Sequence, residues 1–350
     1  MNCSVPHSRP WIDSVDKLAV EEVLSSSMIA RGKYVAEFEQ TVACYLDASG
    51  SIACTSGTAA LLLAFKVLGI GAGDEVVVPT YVCSNVLAAV YASGAAPQLC
   101  DVDDSGVLTT ETVQAVFSSR TRCIVAVHIF GHACDISSLK CLGVPVIEDA
   151  CQAFGLNLSD DRLAGTVGTV GILSFHATKC LTTGEGGMLV SEDSELLERA
   201  RALAKSSTQG NAVGLTAMTD IQAALGLAQL KRYSLFLESR RRVLDVYNRA
   251  AQKLAQARPG YFGEQTFLFR YTLRVQREFE DVKSALLTRG VQVRRGVDEL
   301  LHRKLGLDDR DFPVATELFS QIISVPFYPS LTSSEQARVV LAMQEVFGRD

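Results

Sequence analysis

The segment Ser174-Phe175-His176-Ala177-Thr178-Lys179-Cys180-Leu181-Thr182-Thr183-Gly184-Glu185-Gly186-Gly187 joins two apolar runs of strand character, Gly171–Phe175 and Gly187–Val190. Lys179 stands just after the first run, and three glycines within four positions permit tight turning or close backbone approach before the second. Outward from this segment the same alternation continues. Short β-rich runs at Ser51–Thr55, Glu75–Pro79, Ala96–Cys100, Arg122–His128 and Val144–Glu148 are separated by helix-like stretches at Ser56–Leu68, Ser84–Ser93 and Thr109–Phe117. A further helical stretch, Ser194–Lys205, follows the last run. The pattern predicts an α/β fold on a mainly parallel central sheet flanked by helices.

From Thr219 to about Ala255 Ala, Leu, Gln, Glu and Arg dominate, with no proline until Pro259, and the composition predicts one long helical region. A strand over Gln265–Gln276, a helix over Phe279–Arg289, a strand over Gly290–Arg294 and a closing helix over Ser333–Phe347 then read as a small α+β unit. We therefore divide the chain into a large α/β domain, residues 1–235, and a small C-terminal α+β domain, residues 236–350; a length of 350 residues suits two domains. The run Arg240-Arg241-Arg242 reads as a solvated face or an interface of the long helix.

Thirty-three basic residues against 39 acidic ones leave a net charge of −6, so no global basic field exists to hold a phosphate backbone, and nucleic acid is not an expected partner. Apolar residues at 48% and charged ones at 21% suffice for a sizeable core and are too hydrophobic for a disordered chain. The longest apolar candidate, Ala59 to Ile70, is interrupted by Lys66 and falls short of a bilayer span. The first residues show no basic segment leading into an apolar one, and the expectation is a cytoplasmic location without a membrane partner. All ten cysteines lie between Cys3 and Cys180, with no C-x-x-C pair and no compact metal-ligand spacing. They read as reduced thiols used as small hydrophobes, and no metal is expected.

In an open α/β sheet, ligands gather at the carboxyl ends of the strands. Ser56-Gly57-Thr58-Ala59-Ala60 opens a helix just after a strand and offers free N–H groups, a hydroxyl and a positive helix end to an anion such as a phosphate; a plain N-cap is the alternative. The strand Val144–Glu148 ends in adjacent carboxylates, and a period of two places Glu148 and Asp149 on opposite faces, one for a site and one for the fold. Lys179, lodged among small and hydroxyl residues, could form a Schiff base with an aldehyde. A phosphate turn, a strand-end carboxylate and an embedded lysine, in that order, are the protein parts that pyridoxal 5'-phosphate chemistry needs.

At these residues the sequence resembles the DegT/DnrJ/EryC1/StrS family of fold-type-I pyridoxal phosphate enzymes, most of them sugar aminotransferases. The matching pieces run in the family's order: Gly32–Glu39, Ser56–Leu61, Gly69–Pro79, Val127–Gly131, Ile147–Ala153, Ser174-Phe175, Thr182–Met188 and Asp220–Ala224. The resemblance implies a fold-type-I transferase in which Lys179 forms the Schiff base and shuttles the proton, and Asp149 pairs with the pyridine nitrogen. It implies that Gly57, Thr58 and Ala59 hold the phosphate, that Ser174 adds a hydroxyl, and that Gln152 touches the cofactor ring. Dehydratase members carry His where this chain has Lys179, so the chain resembles the transaminating members.

Two departures stand out. Where the family commonly stacks an aromatic on the cofactor ring, this chain has Cys83, so either the thiol covers the ring or Tyr81 takes over from a shifted position. The usual Asn-Tyr-Arg-Met, from which a neighbouring subunit reaches the phosphate, reads Leu215-Thr216-Ala217-Met218, so this link between subunits is either missing or supplied by Asn211 or another residue of Lys205–Thr219. The segment Asp135 to Val144 is also short where a fuller helix is common. The reading favoured by the resemblance is transfer of an amino group from glutamate or glutamine to a keto group of a nucleotide-linked sugar, in a homodimer. A cyclitol or other small cyclic ketone as acceptor, and a non-catalytic cofactor-binding regulatory protein, are the rival readings.

Overall fold

A computed structural model describes residues 4–158, 161–205, 217–260, 267 and 269–348. Seven strands form the larger sheet: β1 (Gly50–Cys54), β2 (Glu75–Pro79), β3 (Ala96–Cys100), β4 (Thr121–Val127), β5 (Val146–Asp149), β6 (Val170–Ser174) and β7 (Gly187–Ser191). Their spatial order is β1-β7-β6-β5-β4-β2-β3. The neighbours from β6 across to β3 run parallel, and β7 alone is antiparallel, to both β6 and β1. Every residue of β2, β5 and β7 is buried, as expected for a sheet covered by helices on both faces. Pro97 sits in β3, an edge strand where a missing N–H is tolerated. This is the α/β architecture with a mainly parallel sheet that the alternation predicts.

The helices Gly57–Val67 and Ser84–Ser93 begin within a few residues of the ends of β1 and β2, each burying an apolar face against the sheet. Burying one side chain such as Leu63 or Phe65 contributes about 1.5–3 kcal/mol. The shortness read at Asp135 to Val144 is realised as a five-residue helix, Ile136–Lys140. The N-terminal helices Ser14–Ser26 and Lys33–Leu46, which the sequence reading does not single out, pack on the helix Asp220–Lys231. Asp220 Oδ1 ties the second of them down by accepting the Gly32 and Val35 N–H groups at 2.8 and 3.0 Å.

The predicted long helix from Thr219 to Ala255 is in fact two, Asp220–Lys231 and Tyr233–Ala251, broken at Arg232 with φ −110° and ψ 9°. At the break the Arg232 guanidinium pairs with Asp13 and, at 2.6 Å, with Asp16 of the N-terminal helix. Arg240 also departs from the solvated-face reading. It is buried and donates to the carbonyls of Phe327 and Phe269, at 3.1 and 2.5 Å.

The smaller sheet is antiparallel, in the order β10-β11-β9-β8, from β8 (Ala257–Pro259), β9 (Tyr271–Val275), β10 (Arg294–Arg295) and β11 (Ile322–Val325). The strand expected over Gln265–Gln276 is thus β9, shorter at its start, with 261–266 and 268 outside the described residues. The strand expected at Gly290–Arg294 is divided: Val291 bridges Val5 near the N-terminus, and β10 starts only at Arg294. Asn211, Leu215 and the rest of 206–216 also lie outside the described residues. Among the described residues no helix is long and apolar enough to cross a membrane.

Candidate active site

The carboxyl ends of β5 and β6, the turn after β1 and the β6–β7 connection surround a cavity of roughly 300 Å³. Lys179 hangs from that connection, which is clasped at its base. The Phe175 N–H donates to the Gly186 carbonyl at 2.8 Å, and Thr183 N–H and the Thr182 hydroxyl donate to the Phe175 carbonyl at 2.9 and 3.1 Å. The Lys179 N–H closes a turn onto the His176 carbonyl at 2.8 Å. Its Nζ lies 4.9 Å from the centroid of the Phe269 ring and has no ion pair among the described residues. Gly187 lets β7 pass against the turn after β1, since a Cβ there would lie 2.2 Å from the Ser56 carbonyl carbon. The lysine loop and the turn at Ser56 are therefore held in register.

Glu148 and Asp149 face opposite sides of the sheet, as period two requires. Glu148 is fully buried and accepts the N–H groups of Gly165, Val167 and Gly168 at 2.7–2.8 Å and the His128 ring at 2.8 Å. His128 Nδ1 accepts the Cys134 N–H, so Nε2 carries the ring proton that Glu148 receives. Burial pushes the Glu148 carboxyl up, but His128 and the backbone donors outweigh it and hold it below the usual carboxylate range. Asp149 turns into the cavity at 6% exposure. Its Oδ1 accepts the Cys151 N–H at 2.9 Å, and no cation pairs with it among the described residues.

Ser56 caps the helix Gly57–Val67, its Oγ accepting the Ala59 N–H at 3.1 Å. Gly57 and Thr58 line the cavity beside Ser174, and their N–H groups belong to the first turn, which has no intrahelical partners for them. Ala59 stands one step back, its N–H committed to the cap. Gly57 is close to its neighbours: a Cβ would approach Cys151 Sγ at 3.0 Å and Ser174 Cβ at 3.1 Å.

Of the two candidates for covering the cofactor ring, Cys83 opens onto the cavity, while Tyr81 is buried behind it, edge-on to Phe130 with ring centroids 6.1 Å apart. Surrounding protein pushes the Cys83 thiol up, the Asp149 carboxylate adds to this, and the Lys179 cation works against it. Gln152 also lines the cavity and is oriented by its Oε1, which accepts the Phe130 N–H at 2.9 Å. Phe130 itself has φ 56°, the left-handed region that side chains seldom enter.

The sequence reading gives no role to three further residues that border the cavity: His7, Arg270 and Asp298. They come from segments distant in sequence and carry no local motif, so no spacing rule could find them. His7 Nε2 bonds Ser324 Oγ at 2.8 Å and Nδ1 bonds Ser8 Oγ at 2.9 Å. Arg294, the end of the strand expected over Gly290–Arg294, borders the cavity as well.

The donor set fits pyridoxal 5'-phosphate. A nearly buried carboxylate without a cation is costly unless a ligand completes it, and Asp149 offers this to a positive ring nitrogen. An unpaired amine and an open helix end stand in the same cavity for an aldehyde and a phosphate.

A mainly parallel seven-stranded sheet with one antiparallel strand, with lysine, carboxylate and helix end meeting at its carboxyl edge, defines a fold-type-I pyridoxal-phosphate-dependent enzyme. The family model of the DegT/DnrJ/EryC1/StrS aminotransferases matches residues 10–344, and the chain belongs to this family of pyridoxal-phosphate-dependent aminotransferases. It is 30% identical to the spore coat polysaccharide biosynthesis protein SpsC of Bacillus subtilis, over 99% of this chain and 97% of that one. It is also 30% identical to a GDP-perosamine synthase of Caulobacter vibrioides, over 96% of each. Among solved structures, DesV of S. venezuelae in complex with a ketimine intermediate superposes with a TM-score of 0.87 at 26% identity, covering 99% of this chain and all of that one.

Proposed function

We propose that this aminotransferase moves an amino group from glutamate or glutamine to a keto group of a nucleotide-linked sugar, in two half-reactions. The observation that carries the mechanism is the meeting of Lys179 and Asp149, each without an ionic partner among the described residues, in one cavity with the open turn at Gly57 and Thr58. The relatives support the acceptor class, since one is by name a GDP-perosamine synthase and another serves polysaccharide biosynthesis.

When bound, pyridoxal 5'-phosphate supplies an aldehyde that receives the amino group and a conjugated ring that takes up electrons from the substrate. The Gly57 and Thr58 N–H groups and the Ser174 hydroxyl bind its phosphate at the positive end of their helix, and Ala59 supports them by fixing the Ser56 cap. Asp149 holds the ring nitrogen in its protonated form. Gln152, fixed through Oε1, and Cys83, which opens onto the cavity, would meet the ring. Lys179 Nζ would be the base that takes the proton from the substrate α-carbon in one half-reaction and gives one back to the substrate carbon in the other.

Two exposed apolar stretches support a homodimer: Leu18 and Leu24 on the helix Ser14–Ser26, and Met28 and Ile29 just after it. Part of this surface adjoins Ala177, Thr182 and Gly184 of the lysine loop. All nine cysteines among the described residues are free, which supports a reducing, cytoplasmic setting. The division into residues 1–235 and 236–350 belongs to the same reading, with the helix Tyr233–Ala251 as its strut: Phe236 packs under the large sheet, and Val243 and Tyr247 pack on the small one.

The purified enzyme loaded with pyridoxal 5'-phosphate is expected to show an absorption band that glutamate or glutamine bleaches. Nucleotide-linked keto sugars should restore it and free cyclic ketones should not; the reverse preference would give the acceptor to the cyclitol class. Lys179→Ala should abolish both half-reactions, and a variant that keeps full activity would refute the mechanism.

A further inference from the structure

Lys179 also borders a second, smaller cavity of roughly 20 Å³, which Asp149 does not reach. That is room for one particle of about the size of a water molecule and too little for a carboxylate or a phosphate. Its lining carries Arg9, Lys179, Arg240 and Arg270, and among the described residues no aspartate or glutamate. Two of the arginines have acidic company elsewhere: Arg9 pairs with Glu335 at 2.8 Å, and Arg270 feels the charge of Asp298. Arg240 and Lys179 have no ion pair among the described residues. Both converge on Phe269, where Arg240 Nη2 donates to the carbonyl at 2.5 Å and Lys179 Nζ lies 4.9 Å from the ring centroid.

Two donors of this lining, Arg240 Nε and the Tyr328 hydroxyl, have no hydrogen-bond partner among the described residues. Their residues are only 6% and 4% exposed. The guanidinium cannot turn away, because Nη1 holds the Phe327 carbonyl at 3.1 Å, Nη2 holds that of Phe269, and the Phe327 ring covers Cζ with its centroid 4.7 Å off. Tyr328 keeps its proton, since burial pushes the phenol up to about 12. His7 adds no charge, because burial holds its ring neutral. A buried guanidinium without a counter-charge and a buried hydroxyl without an acceptor are both costly. One small anion relieves both; a water molecule would accept the two hydrogen bonds and leave the charge uncompensated.

We propose that the cavity behind Lys179 is a halide site, in which a chloride ion accepts the Arg240 Nε–H and the Tyr328 O–H. The site is separate from the reactive cavity and does not depend on which substrates that cavity takes. Through Arg240 the ion steadies the chain at Phe269 and Phe327, and it sets a negative charge on the side of Lys179 away from Asp149.

The test uses wild-type enzyme, Tyr328→Phe, Arg240→Gln and Arg270→Gln, each loaded with pyridoxal 5'-phosphate. Melting temperature is followed at constant ionic strength while bromide or chloride replaces gluconate, an anion too large for the cavity. Crystals grown in gluconate salts are then transferred to bromide, and its anomalous scattering is mapped. Wild type should melt about 1–3 °C higher in a saturable manner as halide is added. A bromide peak should stand within hydrogen-bond reach of Arg240 Nε and the Tyr328 hydroxyl. Tyr328→Phe should raise the halide concentration of half-effect roughly 10-fold or more, the worth of one hydrogen bond to a charged group. Arg240→Gln should lose both the peak and the saturable rise, and Arg270→Gln should keep both; if Arg240→Gln fails to fold, Tyr328→Phe decides. A cavity that holds only water, without anomalous signal, overturns the proposal. So does a peak without a saturable rise in solution, which means binding at crystal concentration only, and so does an unchanged half-effect in Tyr328→Phe. A peak lost in Arg270→Gln and kept in Arg240→Gln would overturn it by giving the ion to Arg270.

Discussion

Glu148 and Asp149 are neighbours in β5 whose carboxylates point to opposite faces of the sheet, one into a shell of four hydrogen-bond donors and the other into the reactive cavity. Glu148→Gln is expected to lose about 2–4 kcal/mol of stability, because a buried charge-assisted network loses its acceptor. Asp149→Asn should unfold within about 1 kcal/mol of wild type yet slow donor bleaching by roughly 100-fold or more, since the ring nitrogen loses its anionic partner. Chemical denaturation and single-turnover spectra on both variants check the division of roles. The opposite assignment of losses would mean that the functional carboxylate is Glu148.

A pH dependence follows from His7. Burial, with the positive charges of Arg270 and Arg294 behind it, lowers its ring from 6.5 to about 3. The unfolded chain takes up that proton near 6.5 while the folded chain refuses it, so this contribution to stability is fully present above pH 6.5 and is lost as pH falls toward 3. Relative to wild type, His7→Asn should show a flatter decline in denaturation midpoint across this window, with the two curves diverging by about 3 kcal/mol by pH 4. Parallel curves would show that the ring titrates normally in the folded protein.

Cys83 offers a gain-of-affinity experiment. It opens onto the cavity that holds Asp149 and Lys179. Cys83→Phe should slow loss of pyridoxal 5'-phosphate on dialysis several-fold, in line with the roughly 0.5–1.5 kcal/mol that aromatic stacking adds beyond buried area. An unchanged rate of loss would mean that this face of the cavity does not meet the ring.

Leu18 and Met28 are 63% and 74% exposed on and just after the helix Ser14–Ser26. Wild type should scatter light as a dimer, and Leu18→Asp combined with Met28→Asp should shift it to monomer and lower turnover at least 10-fold through loss of the partner's support. A fully active monomeric wild type would remove the interface from the reading.

Much of the large sheet was legible because its strands are short apolar runs closed by turn residues, and buried parallel strands leave that trace. β2 and β3 fall where Glu75–Pro79 and Ala96–Cys100 read as strands, and the other five lie within two residues of expectation. The opposed faces of Glu148 and Asp149 could be read from strand period alone. The role of Arg232 could not be read, because its ionic partners, Asp13 and Asp16, stand more than 200 residues away. Arg270 and His7 were hidden for the same reason: neither stands in a local motif, and only tertiary packing brings them to the cavity. β8, β10 and β11 are two to four residues long, too short for a period to show.

Val5 bridges Val291 and His7 bonds Ser324, so the first residues of the chain are fastened to the small sheet, although the helices that follow pack on the large one. The cavity is thereby built from two parts. Its floor, with Asp149, Ser174 and Lys179, comes from strand ends and a loop of the large sheet; its wall, with His7, Arg270, Arg294 and Asp298, comes from the first residues and from the part of the chain that carries the small sheet. Substitutions in the wall therefore fall on segments separate in sequence from those that carry Asp149, Ser174 and Lys179.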